Sequence, residues 1–409
     1  MILPDVIEEH FDEACFLWKQ RARVLGSRID TLRELVRTEE RLLAHIDGLI
    51  VGGPAAWALL EPSLEAGNER QLTVLGWVVL DAKEEARIQQ LGFWLIGAAE
   101  PRLRGVTNAL SVCQFTDVEQ LVRPWLLGAH WQHRAAAAEV LGFRRLPIED
   151  RTLRELLEDH HPLVVNAALR SVGRLRRQAL LPSVEALLEH SLSSVRTEAL
   201  STAALLGSSA AATRFCTLAS YPERASDDEL AASLILLGIK GDRATAPLLE
   251  KALAAKRTAR SAVSALAAAG WGDAISMLLD AATMPQMARM LGSAVQRITG
   301  VSLREAQLLA PPVALRTLDE ELVELDTEDS DLPLVDVERV RQWWQTQSNK
   351  YDPASRYCYG RPLTAEALHS VLDRSPLADR RELAATLALL DADMSPLLRE
   401  TCGLVAGSA

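Results

Sequence analysis

The sequence predicts an all-α protein made of stacked helix pairs, and three observations carry that prediction. Apolar residues make up 48% and charged residues 24% of the 409 positions, the balance of a chain that folds. Aromatics are only 5%, Leu and Ala are abundant, and no segment alternates apolar and polar residues for long, which favours helix over sheet. The middle of the chain also repeats itself.

Five stretches show the repeat: HRAAAAEVLG ending at Gly142, VVNAALRSVG at Gly173, RTEALSTAA at Ala204, ELAASLILLG at Gly238 and AVSALAAAG at Gly270. Their small terminal residues are spaced by 31, 31, 34 and 32 positions. Each stretch carries small and apolar residues at i, i+3 and i+4, as a helix buried on a wide face requires. An amphipathic partner precedes each one: 118–127, 152–157, 184–188, 213–218 and 246–253. Short polar turns such as Asp159-His160-His161-Pro162 join partner to stretch. One helix pair per roughly 32 residues is the period of HEAT or armadillo arrays, slightly shortened. The expected fold is therefore a HEAT-like α-solenoid of about seven helix pairs over residues 54–300.

The ends differ from the middle. Ile7, Phe11, Ala14, Leu17 and Trp18 form one helical stripe, and Leu32, Leu35, Val36, Leu42, Leu43, Ile46 and Leu49 form another, with Asp30 placed as its N-cap. Residues 1–53 read as a helical hairpin capping the first repeat. Residues 301–409 read as a helical C-terminal cap. It includes an acidic linker, 319–331, with eight acidic residues in thirteen. A helix opened by Asp336 follows and carries Trp343-Trp344; Ser375-Pro376 and Ser395-Pro396 read as openings of two more.

Composition excludes several functions. A net charge of −11 disfavours nucleic acid and anionic lipid. The first residues have no basic region followed by an apolar core, and the longest apolar run, Leu72–Leu80, is too short to span a bilayer. Cysteines 15, 113, 216, 358 and 402 show no CxxC spacing, so they read as free thiols in a reducing cytoplasm, with Cys15 and Cys216 in the core.

The residues Ala14–Trp18, Glu40–Leu49, Ile298-Thr299-Gly300, Val337–Trp344 and Arg356–Pro362 resemble a poorly characterised bacterial HEAT-like repeat family. Genes of that family often lie beside type VI secretion spike, adaptor and effector genes. The resemblance implies a cytoplasmic accessory or assembly factor whose partner is one of those proteins, and it supplies no catalytic residue.

Three constellations invite chemistry. His130, His133, His160, His161 and His190 fall at the turns of successive repeats; an HxxH pair suits a transition metal, but no acid or thiol at ligand spacing completes it. Arg144-Arg145, Arg174/Arg176/Arg177 and Lys256-Arg257/Arg260 sit at helix ends, where the helix dipole already favours cations; their alternative use is to grip phosphate. Trp343, Trp344, Tyr351, Arg356, Tyr357 and Tyr359 crowd into seventeen residues, with the side chains that dominate protein-binding anchors. Burial under the C-terminal cap is the competing role for these six. No phosphate loop or nucleophile elbow is present. The sequence thus predicts a non-enzymatic protein-binding scaffold without a cofactor, with a nucleic-acid-binding HEAT-like protein as the alternative.

Overall fold

A computed structural model describes residues 4–281, 285–311 and 331–390. Helix accounts for 74% of it, against two strands of two residues each, so the all-α class holds. The helices pack in sequential pairs, as expected of a HEAT-like α-solenoid. The chain divides into two compact units, with the break between Leu206 and Gly207.

The first unit opens with a hairpin of α1 (Pro4–Gly26) and α2 (Leu32–Leu60). Thr31, not Asp30, caps α2. Its side chain accepts from the Arg33 N–H, and Glu34 reaches back to it, the reciprocal arrangement of a capping box. Asp30 instead sits in a turn whose N–H donates to Ser27 Oγ. Residues 54–60, expected as the start of a separate helix, continue α2 past a kink at Gly53, whose φ of 52° is followed by Pro54. By length and composition α2 is apolar enough to cross a membrane. In this fold it buries Leu35, Leu42, Ile46 and Leu49 while packing on α1 and the repeat helix α4 (Glu69–Asp81).

Beyond a short helix α3 (Ser63–Ala66), inner and outer helices alternate. The inner ones are α4, α6 (Glu100–Val112), α8 (Trp131–Phe143), α10 (Pro162–Arg174) and α12 (Ser193–Leu205). The outer ones are α5 (Glu85–Leu95), α7 (Val118–Val122), α9 (Asp150–Leu157) and α11 (Leu181–Ala186). Successive inner helices lie side by side and in register. Ser171 Oγ donates to the Ala138 carbonyl (2.6 Å) and Thr202 Oγ1 to that of Leu169 (3.1 Å), one repeat apart in each case. Small residues make this approach possible: a β-carbon at Gly142 would overlap Ser171. Ala168 and Ala199 are fully buried at matching places.

The second unit continues the alternation with outer helices α13 (Ser209–Ser220), α15 (Ala246–Leu253) and α17 (Ala274–Ala281). Its inner helices are α14 (Asp227–Lys240), α16 (Ala259–Ala269) and α18 (Pro285–Thr299). The C-terminal part follows: α19 (Val337–Gln347), a hairpin of β1 (Tyr357–Cys358) and β2 (Arg361–Pro362), α20 (Ala365–Leu372) and α21 (Leu377–Leu390). Asp336 caps α19 as expected, accepting from the Glu338 and Arg339 N–H groups. Ser375 does not cap α21; its hydroxyl donates backwards to the Leu372 carbonyl. Residues 319–330 of the acidic stretch, Ser395-Pro396 and Cys402 lie outside the described residues. The buried thiols are Cys113 and Cys358, while Cys15 and Cys216, expected in the core, are only half-buried.

Candidate protein-binding surface

The aromatic segment expected to bind a partner is laid across the ends of the second unit's inner helices. Helix C-termini leave backbone carbonyls unpaired, and a buried terminus must find donors for them. Arg356 supplies these donors for two helices at once. Its Nε donates to the Ala269 carbonyl (2.7 Å), and Nη2 reaches the carbonyls of Ile239 (3.0 Å), Ala268 (3.2 Å) and Gly238 (3.3 Å). The backbone continues the contact: the Tyr357 N–H donates to Gly270 O, and the Tyr359 N–H to Arg297 O, both at 2.6 Å. Gly241 and Gly270, in the left-handed region at φ 66° and 64°, end α14 and α16. A β-carbon at Gly241 would overlap the Arg356 guanidinium, and one at Gly270 would overlap the Tyr357 carbonyl. Burial, with Arg297 adding repulsion, lowers the Arg356 pKa to about 10, still well above neutrality.

The other members of the cluster divide between interior and surface. Trp344 is buried, its Nε1–H donating to Ser276 Oγ at 2.9 Å. Tyr359 donates its hydroxyl to Asp379 Oδ2 (2.9 Å), and Asp379 also pairs with Arg297, which bonds Glu382 as well. This ion cluster is almost wholly out of water and fixes α21 against α18. Burial, then the Asp379 charge, raises the Tyr359 phenol far above its usual range, so it stays a donor. Trp343, Tyr351 and Tyr357 remain half-exposed. The Tyr351 ring lies 5.3 Å from Trp344 and 5.0 Å from Tyr357, centroid to centroid.

A second surface, on the first unit, was only partly anticipated. The N-cap positions of its inner helices, Ala99, His130, His161 and Leu192, recur every 31 residues. This places the outer-to-inner turns in a row on one edge. Large apolar side chains stand out there: Phe93 (72% exposed), Ile96, Leu127 (74%) and Leu192. Beneath them the turns lock together. His133 Nε2 lies 2.7 Å from the Gly92 carbonyl, which requires the proton on that nitrogen, and its ring stacks on Trp125. His161 stacks on Trp131, and its Nδ1 accepts from the Leu163 N–H at 3.3 Å. Arg134 and Arg196 each donate to two turn carbonyls, Gly128 and Ala129 in one repeat, His190 and Ser191 in the other.

The candidate metal and phosphate residues are likewise given structural partners. The His130 and His133 rings meet edge to face, 5.5 Å apart, and among the described residues no three ligand-type side chains converge. Arg144 donates to the Leu110 (2.9 Å) and Cys113 (2.5 Å) carbonyls at the end of α6. Arg174 pairs with Glu139, and Arg257 with Asp227 and the carbonyls of Pro222 and Ala225. Arg145 and Arg176 occupy matching left-handed positions at φ 55° and 49°, just after α8 and α10. On the inner face, Glu139, Arg170 and Glu198 form a ladder across α8, α10 and α12. Burial pushes both carboxyls up; Arg170 and Arg174 overcome this at Glu139 and hold it below its usual range, whereas Glu198 stays above it.

Comparison with known proteins bears on part of the chain. A family model for HEAT repeats matches residues 119–204, which run from α7 to α12. No curated protein matches the chain. The helices α7 to α12 are thus similar to HEAT repeats, arrays that are typically non-catalytic and hold protein partners.

Proposed function

We propose that this protein is a non-enzymatic scaffold that holds a protein partner along the turn edge of its first unit. The single observation that carries the reading is the row of exposed apolar side chains Phe93, Ile96, Leu127 and Leu192, mounted on cross-braced turns. Such a row on a rigid frame is what a protein-binding surface needs: apolar anchors that require no reordering on contact. The half-exposed Trp343, Tyr351 and Tyr357 offer a second, smaller contact. The partner is proposed to be a type VI secretion effector, adaptor or spike component, met in the cytoplasm. That proposal is supported by the sequence resemblance alone. Nucleic acid is the weaker reading, because Arg144, Arg174 and Arg257 already hold carbonyls and carboxylates.

Affinity purification from the native host, followed by mass spectrometry, tests this with the wild type beside Leu127→Asp and Phe93→Ser. The expected result is a secretion component captured by the wild type and lost from both variants, with unchanged melting temperatures. Capture of the same proteins by all three would remove the edge from the proposal. Recovery of nucleic acid alone would replace it with the alternative.

A further inference from the structure

The N-terminal hairpin holds a pair of histidines that neither the repeats nor the proposed edge uses. The imidazoles of His10 on α1 and His45 on α2, both half-buried, share a hydrogen bond between their Nδ1 atoms at 3.0 Å. The approach is built into the helices. Gly48 lies one turn after His45, and a β-carbon there would overlap the His10 ring. Glycine inside a helix is less stable than alanine, so this position gives up helix stability while admitting an imidazole. The rings meet at 66° with centroids 5.1 Å apart, so they are not stacked, and the nitrogens are the atoms brought together.

We propose that His10 and His45 form a two-imidazole chelate for a divalent late transition metal, Cu2+ above all. Metal–imidazole bonds are about 2.0–2.1 Å long, so nitrogens 3.0 Å apart subtend roughly 90–95° at a shared metal. That is the angle between neighbouring positions of a tetragonal or octahedral site. A tetrahedral angle would hold them at about 3.3–3.4 Å. Imidazole ligands in tetragonal geometry select Cu2+, then Ni2+, over Zn2+. Water would complete the shell. The metal would tie α1 to α2.

Titration of the full-length protein with CuCl2, with NiCl2 and ZnCl2 in parallel, tests the site by calorimetry and, for copper, by electron paramagnetic resonance. The expected result is one Cu2+ per chain, with coupling to two imidazole nitrogens and a rise in melting temperature as the site fills. His10→Ala and His45→Ala should each weaken binding at least tenfold, while His133→Ala, at the turn edge, leaves it unchanged. Gly48→Ala leaves both ligands in place and displaces the His10 ring, so it should also weaken binding while circular dichroism stays that of the wild type. Binding insensitive to His10→Ala and His45→Ala, or no stoichiometric binding of any of the three metals, overturns the proposal. Tighter binding of Zn2+ than Cu2+ overturns the tetragonal assignment on which it rests.

Discussion

The imidazole of His161 lies flat on the indole of Trp131, with ring centroids 3.6 Å apart and planes within 7°. The same imidazole uses its Nδ1 lone pair to cap α10. Protonation would remove that acceptor, and burial already lowers the His161 pKa below its usual value, with Asp159 opposing and Arg134 assisting. The folded state therefore binds this proton less readily than the unfolded chain. Stability from this group is fully present above the ordinary value of about 6.5 and is lost as pH falls through the lower folded value. The melting temperature should fall between pH 7.5 and 5. His161→Asn, which keeps a capping oxygen and does not titrate, should show a shallower fall. Equal slopes in wild type and variant would exclude His161 as the cause.

Ala168 and Ala199 occupy equivalent, fully buried places in α10 and α12. Replacing either with Phe inserts a ring where neighbouring helices are in contact, at a cost of about 1–3 kcal/mol or more. Chemical denaturation of the two variants should show similar losses, because the sites are one repeat apart. Wild-type stability in either would mean that the helix face is wrongly assigned.

Arg356→Ala should lower the melting temperature with or without a partner present, since it strips donors from the buried ends of α14 and α16. Charge-assisted bonds of this kind are worth about 1.5–3 kcal/mol. Lysine has no planar fork to reach both helices, so Arg356→Lys should restore only part of the loss. If Arg356→Ala melts like the wild type but fails to hold partner, the residue is a contact rather than a brace.

Asp379→Ala should be more damaging, at about 3–5 kcal/mol, because it leaves Arg297 short of one partner where water cannot replace it. Replacing Arg297, Asp379 and Glu382 together with apolar residues of similar volume should recover much of that loss. A triple variant as unstable as the single one would show that packing, not the unpaired charge, dominates.

The repeat was legible because burial imposes a pattern: the small residues at 142, 173, 204, 238 and 270 end helices that must pack closely, and the structure places those helices where the spacing put them. The kink at Gly53 was not legible, because Gly-Pro marks the end of a helix as readily as a bend within one. The aromatic and arginine cluster was found, but its division between interior and surface depends on which carbonyls lie within reach, and sequence spacing does not encode that. The turn edge left a faint trace in the evenly spaced histidines. Phe93 and Leu127 gave no signal of their own, since an exposed Leu looks like a buried one until the fold is known. The His10–His45 pair is separated by 35 positions and joins only when the hairpin closes.

The Arg356 brace also bears on how the chain unfolds. A plain helical array holds each repeat only by its neighbours, so it can fray from an end and its stability grows repeat by repeat. Arg356 contacts Ile239 and Ala269 across 117 and 87 positions of sequence. Such a long-range closure makes α14, α16 and the hairpin segment one cooperative block, which must form late and open all at once. Protection from amide exchange should therefore be graded along the first unit, rising towards its centre, and nearly uniform across α14 and α16.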